Sequence, residues 1–349
     1  MSQTLETQTL EKLLHMGTEC LGTAGISDAA LDAWYLLSDA FQIDRTHYLL
    51  KKRQELDESA LQAGYKKYLD ALNMRQQRVP LQHILKSQEF MALPFLVDEH
   101  VLIPRQDTET LVELVLKECQ DKNMRVLDMC TGSGCIALSL AVWGGYRQVA
   151  AVDVSREALG VAIENVRQLY MNPEYRKKGG CETKEKQEIC MREAPIQMCW
   201  KTGKPQTEFY LLESDLFSNV QDLTFLEKFD VLVSNPPYIP SDVIESLEPE
   251  VRDHEPRMAL DGRADGLYFY RRLAAEAPAY LKPGARVYFE IGYDQGEALR
   301  HILSECGFEQ IRILSDLAGN DRVAAAMWSV KEYLPDAREG LRRGGDGPH

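Results

Sequence analysis

No stretch of this chain stays apolar for the roughly 20 residues that a helix needs to cross a bilayer, so a membrane-spanning protein is not expected. The amino terminus, Met1-Ser2-Gln3-Thr4-Leu5-Glu6-Thr7, has neither a basic flank nor an apolar core. No secretory leader is expected there, and the cytoplasm is the expected compartment. Positive charge is also scarce: 40 Lys and Arg face 54 Asp and Glu, a formal charge of −14. Non-specific nucleic-acid affinity rests on clustered Lys and Arg, so the balance argues against a general polyanion binder. A protein partner or a small-molecule substrate suits it better, although a local basic patch stays open. The 8 cysteines are scattered and include no CxxC pair, so neither a zinc site nor a disulfide framework is expected. No internal repeat and no Ser-His-Asp set is evident.

What remains is ordinary globular composition, 44% hydrophobic and 27% charged, over a length that suggests about two domains. Residues 1–80 read as a helical bundle. Leu10, Leu13, Leu14 and Leu21 recur at helical spacing, as do Leu31, Trp34, Leu37 and Phe41, then Leu61, Tyr65, Tyr68, Leu69 and Leu72. Pro80 ends that set. Residues 81–104 are apolar but broken, with Phe90, Phe95, Val97 and Val101, and read as a short β-hairpin linker. From Arg125 strands and helices alternate. Strands are expected at 125–129, 148–154, 208–213, 229–234, 285–291, 309–314 and 322–329, the pattern of a mostly parallel sheet covered on both faces. The last two follow closely on each other, so one should run antiparallel at or near the edge. Residues 171–208 break the rhythm and are expected to be a mobile surface insertion within a domain spanning 105–335. Residues 336–349 should fray.

Two segments carry chemistry. In the first, the strand Arg125-Val126-Leu127-Asp128-Met129 runs into Cys130-Thr131-Gly132-Ser133-Gly134 and then a helix. Gly132 and Gly134 let the backbone turn tightly and approach a ligand, and the helix start offers unpaired N–H groups. Asp153 ends the next strand, 21 residues after Gly132, about the distance at which a carboxylate grips ribose hydroxyls. Gly132-x-Gly134-x-x-Ala137 satisfies a dinucleotide fingerprint and equally the first motif of S-adenosylmethionine-dependent methyltransferases. In the second reading Thr131, Gly132, Ser133 and Gly134 hold the methionine portion and Asp153 the ribose. Cys130 and Cys135 flank the turn and read as packing residues, because no adjoining cation would activate a thiolate.

The second segment, Asn235-Pro236-Pro237-Tyr238, follows the apolar strand 229–234. Two prolines cannot continue a ladder, so Asn235 sits at the carboxyl edge of the sheet, where open α/β sheets bind ligands. This segment decides between the cofactors, since hydride transfer has no evident use for it. An amide nitrogen is a poor nucleophile because its lone pair is delocalised. The Asn235 side-chain oxygen and the Pro236 carbonyl can accept the two hydrogens of an NH2 group and aim its nitrogen at a sulfonium methyl. The Tyr238 ring can lie against the amide or the cationic methyl, worth roughly 0.5–2 kcal/mol. No general base is assigned and no metal is expected. His254 stands among Glu250, Asp253 and Glu255 without a second histidine nearby.

These motifs resemble those of the PrmC/HemK-type protein-(glutamine-N5) methyltransferases. The resemblance extends to Pro80-Leu81-Gln82-His83-Ile84, Val101-Leu102-Ile103-Pro104-Arg105-Gln106-Asp107-Thr108-Glu109, Ser214-Asp215-Leu216-Phe217, Glu290-Ile291-Gly292 and Asp316 to Val323. It spans about residues 5 to 330 apart from 171–208. It implies a seven-stranded, Rossmann-like class I methyltransferase domain behind an N-terminal helical bundle, with S-adenosylmethionine as cofactor. It further implies that the chain methylates the glutamine of the Gly-Gly-Gln loop of a peptide-chain release factor; a monomer is expected, although nothing in the sequence fixes the oligomeric state. It places Asn235, Pro236 and Tyr238 in catalysis, and Asp215 and Leu216, with Asn235, beside the cofactor. Arg105, with Asn235, Pro236, Pro237 and Tyr238, falls near the substrate. Thr108 and Glu109 can be read simply as caps of the helix that opens there, and Arg322 as an edge-strand ion pair. Rival readings are a ribosomal-protein glutamine methyltransferase, a nucleic-acid adenine N6 methyltransferase, which the acidic balance and small helical domain disfavour, and a non-catalytic module that docks through the bundle.

Overall fold

A helical period in the first quarter of the chain gives way to buried strands. The computed structural model, which describes residues 8–171, 196–199, 207–223, 227–316 and 318–329, follows that change. Helices α1 (Leu10–Thr23), α2 (Ala29–Phe41), α3 (Arg45–Lys51) and α4 (Glu58–Gln76) form the first body. Side chains start two of them: the Thr9 oxygen accepts from the Lys12 N–H at 3.2 Å, and Asp44 accepts from the His47 N–H at 2.6 Å. Leu13, Leu21, Trp34, Leu37, Tyr68 and Leu72 fill their common core. Tyr68 lies so close over Gly17 that a Cβ there would sit 1.9 Å from its hydroxyl, so only glycine lets α1 and α4 meet.

After the short α5 (Leu81–Leu85), strands β1 (Gln88–Phe90) and β2 (Leu93–Phe95) pair as an antiparallel hairpin. Phe90, Leu93 and Phe95 are fully buried in the core of the sheet that follows, which fastens the hairpin to it. The helical body meets the sheet region through charge. Arg75, almost fully buried, lies 2.7 Å from Asp32 in α2 and 3.0 Å from Glu250, and Arg78 lies 3.1 Å from Glu250. Burial alone would raise the Glu250 pKa, but hydrogen bonds, including those from the two arginines, leave it lowered.

The sheet holds β3 (Arg125–Met129), β4 (Gln148–Asp153), β5 (Ile196–Cys199), β6 (Glu208–Glu213), β7 (Phe229–Ser234), β8 (Leu281–Glu290), β9 (Phe308–Ser315) and β10 (Asp321–Trp328). Their order is β5-β6-β4-β3-β7-β8-β10-β9. All seven expected strands are present. β10 runs antiparallel between β8 and β9, one place in from the edge. An eighth, β5, pairs antiparallel to β6 at the opposite edge. It lies inside the 171–208 insertion, where the alternation Ile196-Gln197-Met198 is too short to announce a strand. The expected mobility of the rest of that insertion, and the expected fraying of 336–349, lie outside the described residues. Among the described residues no helix is long and apolar enough to cross a membrane.

The order explains the placing of the site. From β3 the chain winds outward through β4 and β6, then returns to set β7 on the other side of β3. At such a reversal the connections diverge and leave a crevice at the carboxyl ends of the strands. Met129 of β3 and Ser234 of β7 pair there, and the Ser234 hydroxyl donates to the Met129 carbonyl at 2.5 Å. The glycine turn and the Asn-Pro-Pro-Tyr segment, a hundred residues apart in sequence, therefore leave the sheet side by side.

Candidate active site

The turn after β3 is built on left-handed backbone, with φ of 61° at Cys130, 53° at Gly132 and 80° at Gly134. Asp153, at the end of β4, closes it: Oδ2 accepts from the Gly132 N–H at 2.8 Å and Oδ1 from the Ser155 N–H at 2.9 Å. Burial pushes the Asp153 pKa up against these bonds. A Cβ on Gly132 would meet nothing within 4 Å, so that face of the turn is open, whereas Gly134 packs against Ala162 and Leu138. Beneath lies a carboxylate that sequence reasoning did not single out. Asp128 is fully buried and its Oδ2 accepts from the Thr131 hydroxyl at 2.6 Å and the Ala137 N–H at 3.1 Å, while Oδ1 has no partner among the described residues. Burial raises its pKa to about 7. A lone acid inside an apolar strand just before a glycine turn was the signal available. Burial likewise pushes the Cys130 thiol up and the Cys135 thiol to about 12, which leaves both as packing residues.

At the end of β6, Leu216 takes a φ of 47° and its carbonyl accepts from the Ser214 hydroxyl at 2.8 Å. The half-exposed Asp215 pairs with Arg272 at 2.7 Å. At the end of β7, Asn235 is partly buried and its Nδ2 donates to the Thr108 hydroxyl at 3.4 Å. Neither Asn235 Oδ1 nor the Pro236 carbonyl accepts a hydrogen bond among the described residues. The segment is gripped from behind. Gln295 Nε2 donates to the Tyr238 carbonyl at 3.0 Å, and Gly262 and Gly266 lie against the Tyr238 backbone. The Tyr238 hydroxyl stands 3.5 Å from Oε1 of the buried Glu290.

Thr108 and Glu109 are not caps. Helix α6 (Gln106–Glu118) opens one turn earlier with Arg105 at its N-cap, so both point inward instead: Glu109 accepts from the Met91 N–H of the hairpin at 2.6 Å. Arg105 Nη2 reaches both oxygens of Glu255, at 2.7 and 2.9 Å. Burial carries the Glu255 pKa to about 7 in spite of that cation. Arg322 is an ion pair, 3.1 Å from Asp107 and from Asp316. His254 Nε2 lies 3.2 Å from the Gln77 carbonyl of the helical body.

These ends enclose one cavity with about 940 Å³ of empty space, its open mouth included. Thr131, Gly132, Ser133, Asp153, Asp215, Leu216, Asn235, Pro237 and Arg105 line it; Gly134, Pro236 and Tyr238 do not. Met129, Ile136, Val152 and Phe269 supply apolar wall. The chemistry suits a nucleoside-type ligand: a carboxylate where ribose hydroxyls would reach, an open glycine face, and apolar surface for a base.

Glu290 adds a test by pH. Burial drives its pKa from 4.5 to about 7, against hydrogen bonding from Thr108 and the charge of Arg322. A folded-state value raised in this way adds stability that is fully present below about pH 4.5 and is lost as pH rises through 7. The loss is on the order of 3 kcal/mol well above pH 7. Glu290→Gln stays neutral throughout, so it is expected to melt above the wild type at pH 8 and level with it at pH 4.5. Thermal unfolding at both values checks this; an equal Tm difference at the two counts against it.

The chain matches the PrmC N-terminal domain over residues 12–85 and the methyltransferase small domain over residues 106–204. It is 36% identical over 297 residues to a release factor glutamine methyltransferase of Clostridium acetobutylicum, covering 85% of this chain and 90% of that protein. The corresponding protein of Geobacter sulfurreducens is 35% identical over 323 residues, covering 93% and 98%. Among solved structures, the release factor-specific protein-(glutamine-N5) methyltransferase of Alicyclobacillus acidocaldarius is 28% identical, with a TM-score of 0.34, covering 65% of this chain and 95% of that one.

Proposed function

The chain belongs to the release factor glutamine methyltransferases, and on that premise we propose that it methylates the side-chain amide nitrogen of the glutamine in the Gly-Gly-Gln loop of a peptide-chain release factor. S-Adenosylmethionine, when bound, supplies an electrophilic methyl on sulfonium. The observation that carries the reading is the carboxamide of Asn235, on the wall of the cavity with Oδ1 open, beside the glycine turn.

The residues divide the work. Asp153 faces ribose hydroxyls, the open face of Thr131, Gly132 and Ser133 takes the methionine end, and Asp215 and Leu216 border the base. Asn235 Oδ1 accepts one hydrogen of the glutamine NH2; the Pro236 carbonyl, which accepts no hydrogen bond among the described residues, is assigned the other, although Pro236 does not line the cavity. This localises the nitrogen lone pair and aims it, which is catalysis by positioning. The proton leaves to solvent once the nitrogen becomes cationic, so no strong base is needed. The sequence places the Tyr238 ring against the substrate; with its hydroxyl toward Glu290, we assign it instead to buttressing the loop that carries Asn235. Arg105, half-exposed at the mouth and held by Glu255, is assigned to the incoming loop.

We further take residues 1–80 as the docking body, 81–104 as the linker and 105–335 as the transferring domain, working as a monomer in the cytoplasm, where release factors act. Mass spectrometry of a release factor incubated with the enzyme and cofactor is expected to find one added methyl, on the loop glutamine. An unmodified loop, with label instead on ribosomal protein or DNA, would overturn the reading.

A further inference from the structure

Gln295 occupies the N-cap of the helix Gly296–Glu305, yet its side chain makes no cap hydrogen bond. Helices favour Ser, Thr, Asp or Asn at that position, whose short polar side chains reach the first free N–H groups. The Gln295 side chain turns into the protein instead, and the residue is 8% exposed. Its Oε1 accepts from the Gly292 N–H at 2.9 Å, while Nε2 donates to the Tyr238 carbonyl at 3.0 Å and to the Gly266 carbonyl at 3.4 Å. An N–H only donates and a carbonyl only accepts, so these partners fix which way round the carboxamide lies. One side chain thus ties together the exit from β8, the 262–266 turn and the Asn-Pro-Pro-Tyr segment.

The prolines make such a tie necessary. Pro236 and Pro237 have no N–H with which to anchor the backbone. Pairing resumes at Ile239, whose N–H donates to the Leu260 carbonyl at 3.0 Å and whose carbonyl accepts from the Gly262 N–H at 2.8 Å. The Tyr238 carbonyl, held by Gln295, anchors the segment just before that point. Two glycines make room for the amide: a Cβ on Gly266 would lie 2.7 Å from Nε2, and one on Gly292 would lie 3.1 Å from Oε1. Resting on the function proposed above, we propose that Gln295 is a positioning residue for methyl transfer. It does not line the cavity; it fixes Tyr238, and through the stiff Pro-Pro link it keeps the Asn235 carboxamide on the cavity wall.

Gln295→Met keeps the length of the side chain and removes both halves of the amide. Its kcat is expected to fall about 30- to 100-fold, the scale of a misplaced reacting group, with KM for the release factor and cofactor affinity within about threefold of the wild type. Leu303→Ala lies in the same helix, buried in the core, and loosens that helix without touching the amide. It should lower Tm and leave kcat within about threefold, both variants being assayed well below their melting temperatures. A Gln295→Met enzyme as fast as the wild type would overturn the proposal. So would a Leu303→Ala enzyme as slow as Gln295→Met, since that result belongs to helix stability alone. Should Gln295→Met not fold, Gln295→Glu takes its place: it keeps the acceptor for Gly292 but gives up at least one of the two donated hydrogens. A loss of at least about tenfold in kcat is then expected, and wild-type speed overturns the proposal. The wild type assayed alongside separates the two claims: failure to methylate the release factor defeats the function, whereas these variants test only the positioning.

Discussion

Asn235→Ala is expected to lower kcat about 100- to 1,000-fold, the cost of removing one preorganised polar group at a reacting centre, while cofactor affinity changes by less than about threefold. Asn235 supplies the side-chain acceptor for the substrate nitrogen. Without it the amide keeps its planar, delocalised form and is free to turn. The cofactor surfaces, by contrast, come from other strand ends: Asp153 from β4 and the turn 131–134 from β3. The mutation also leaves the fold nearly untouched, because among the described residues the Asn235 side chain makes one hydrogen bond, a long one to Thr108. Single-turnover transfer to release factor and calorimetric titration of cofactor would read the two effects separately. An alanine enzyme within tenfold of the wild-type rate would remove Asn235 from catalysis.

Gly266→Ala should be almost as damaging, although Gly266 does not line the cavity. Its φ of 72° is strained for any residue with a Cβ, at about 1–2 kcal/mol. The added carbon would lie 2.3 Å from the Tyr238 carbonyl oxygen and 2.7 Å from Gln295 Nε2, breaking into the hydrogen bond that holds the Asn-Pro-Pro-Tyr segment from behind. The segment must shift, and a displacement of about 1 Å at a reacting centre costs about 100-fold. Gly284→Ala is the matched control. Its φ is 81°, but a Cβ there meets nothing within 4 Å, so it should lose stability alone. Comparing kcat for the two at a temperature well below both melting points isolates the positional effect. Equal activity in both would mean that the grip on Tyr238 is irrelevant to transfer.

Much of this protein was legible in the chain because the relevant physics is local. Helical periodicity in residues 10–76 reports which faces bury, and the apolar runs at 125–129 and 229–234 report strands buried on both sides. A glycine turn, an acid about one βα unit later and two prolines ending a strand act through backbone geometry within a few residues, so they could be assigned without knowing any neighbour. β5 was not legible: four residues at a sheet edge are too short a pattern to stand out, and they are held by pairing with β6. Thr108 and Glu109 looked like helix caps, since capping depends only on sequence distance from a helix start; that start proved to lie at Arg105.

What tertiary structure alone decided is who faces whom. Thr108 and Asn235 come from α6 and from the end of β7, Tyr238 and Glu290 from the segment after β7 and the end of β8, and no spacing between them predicts either contact. The same holds for Gln295 beneath Tyr238 and for Glu255 against Arg105. Hydrogen bonds between such groups depend on strand order and register, which the whole sheet settles together as it buries its core. The residue types therefore set the chemistry available at each strand end, and the reversal of winding between β3 and β7 set which chemistries share one cavity.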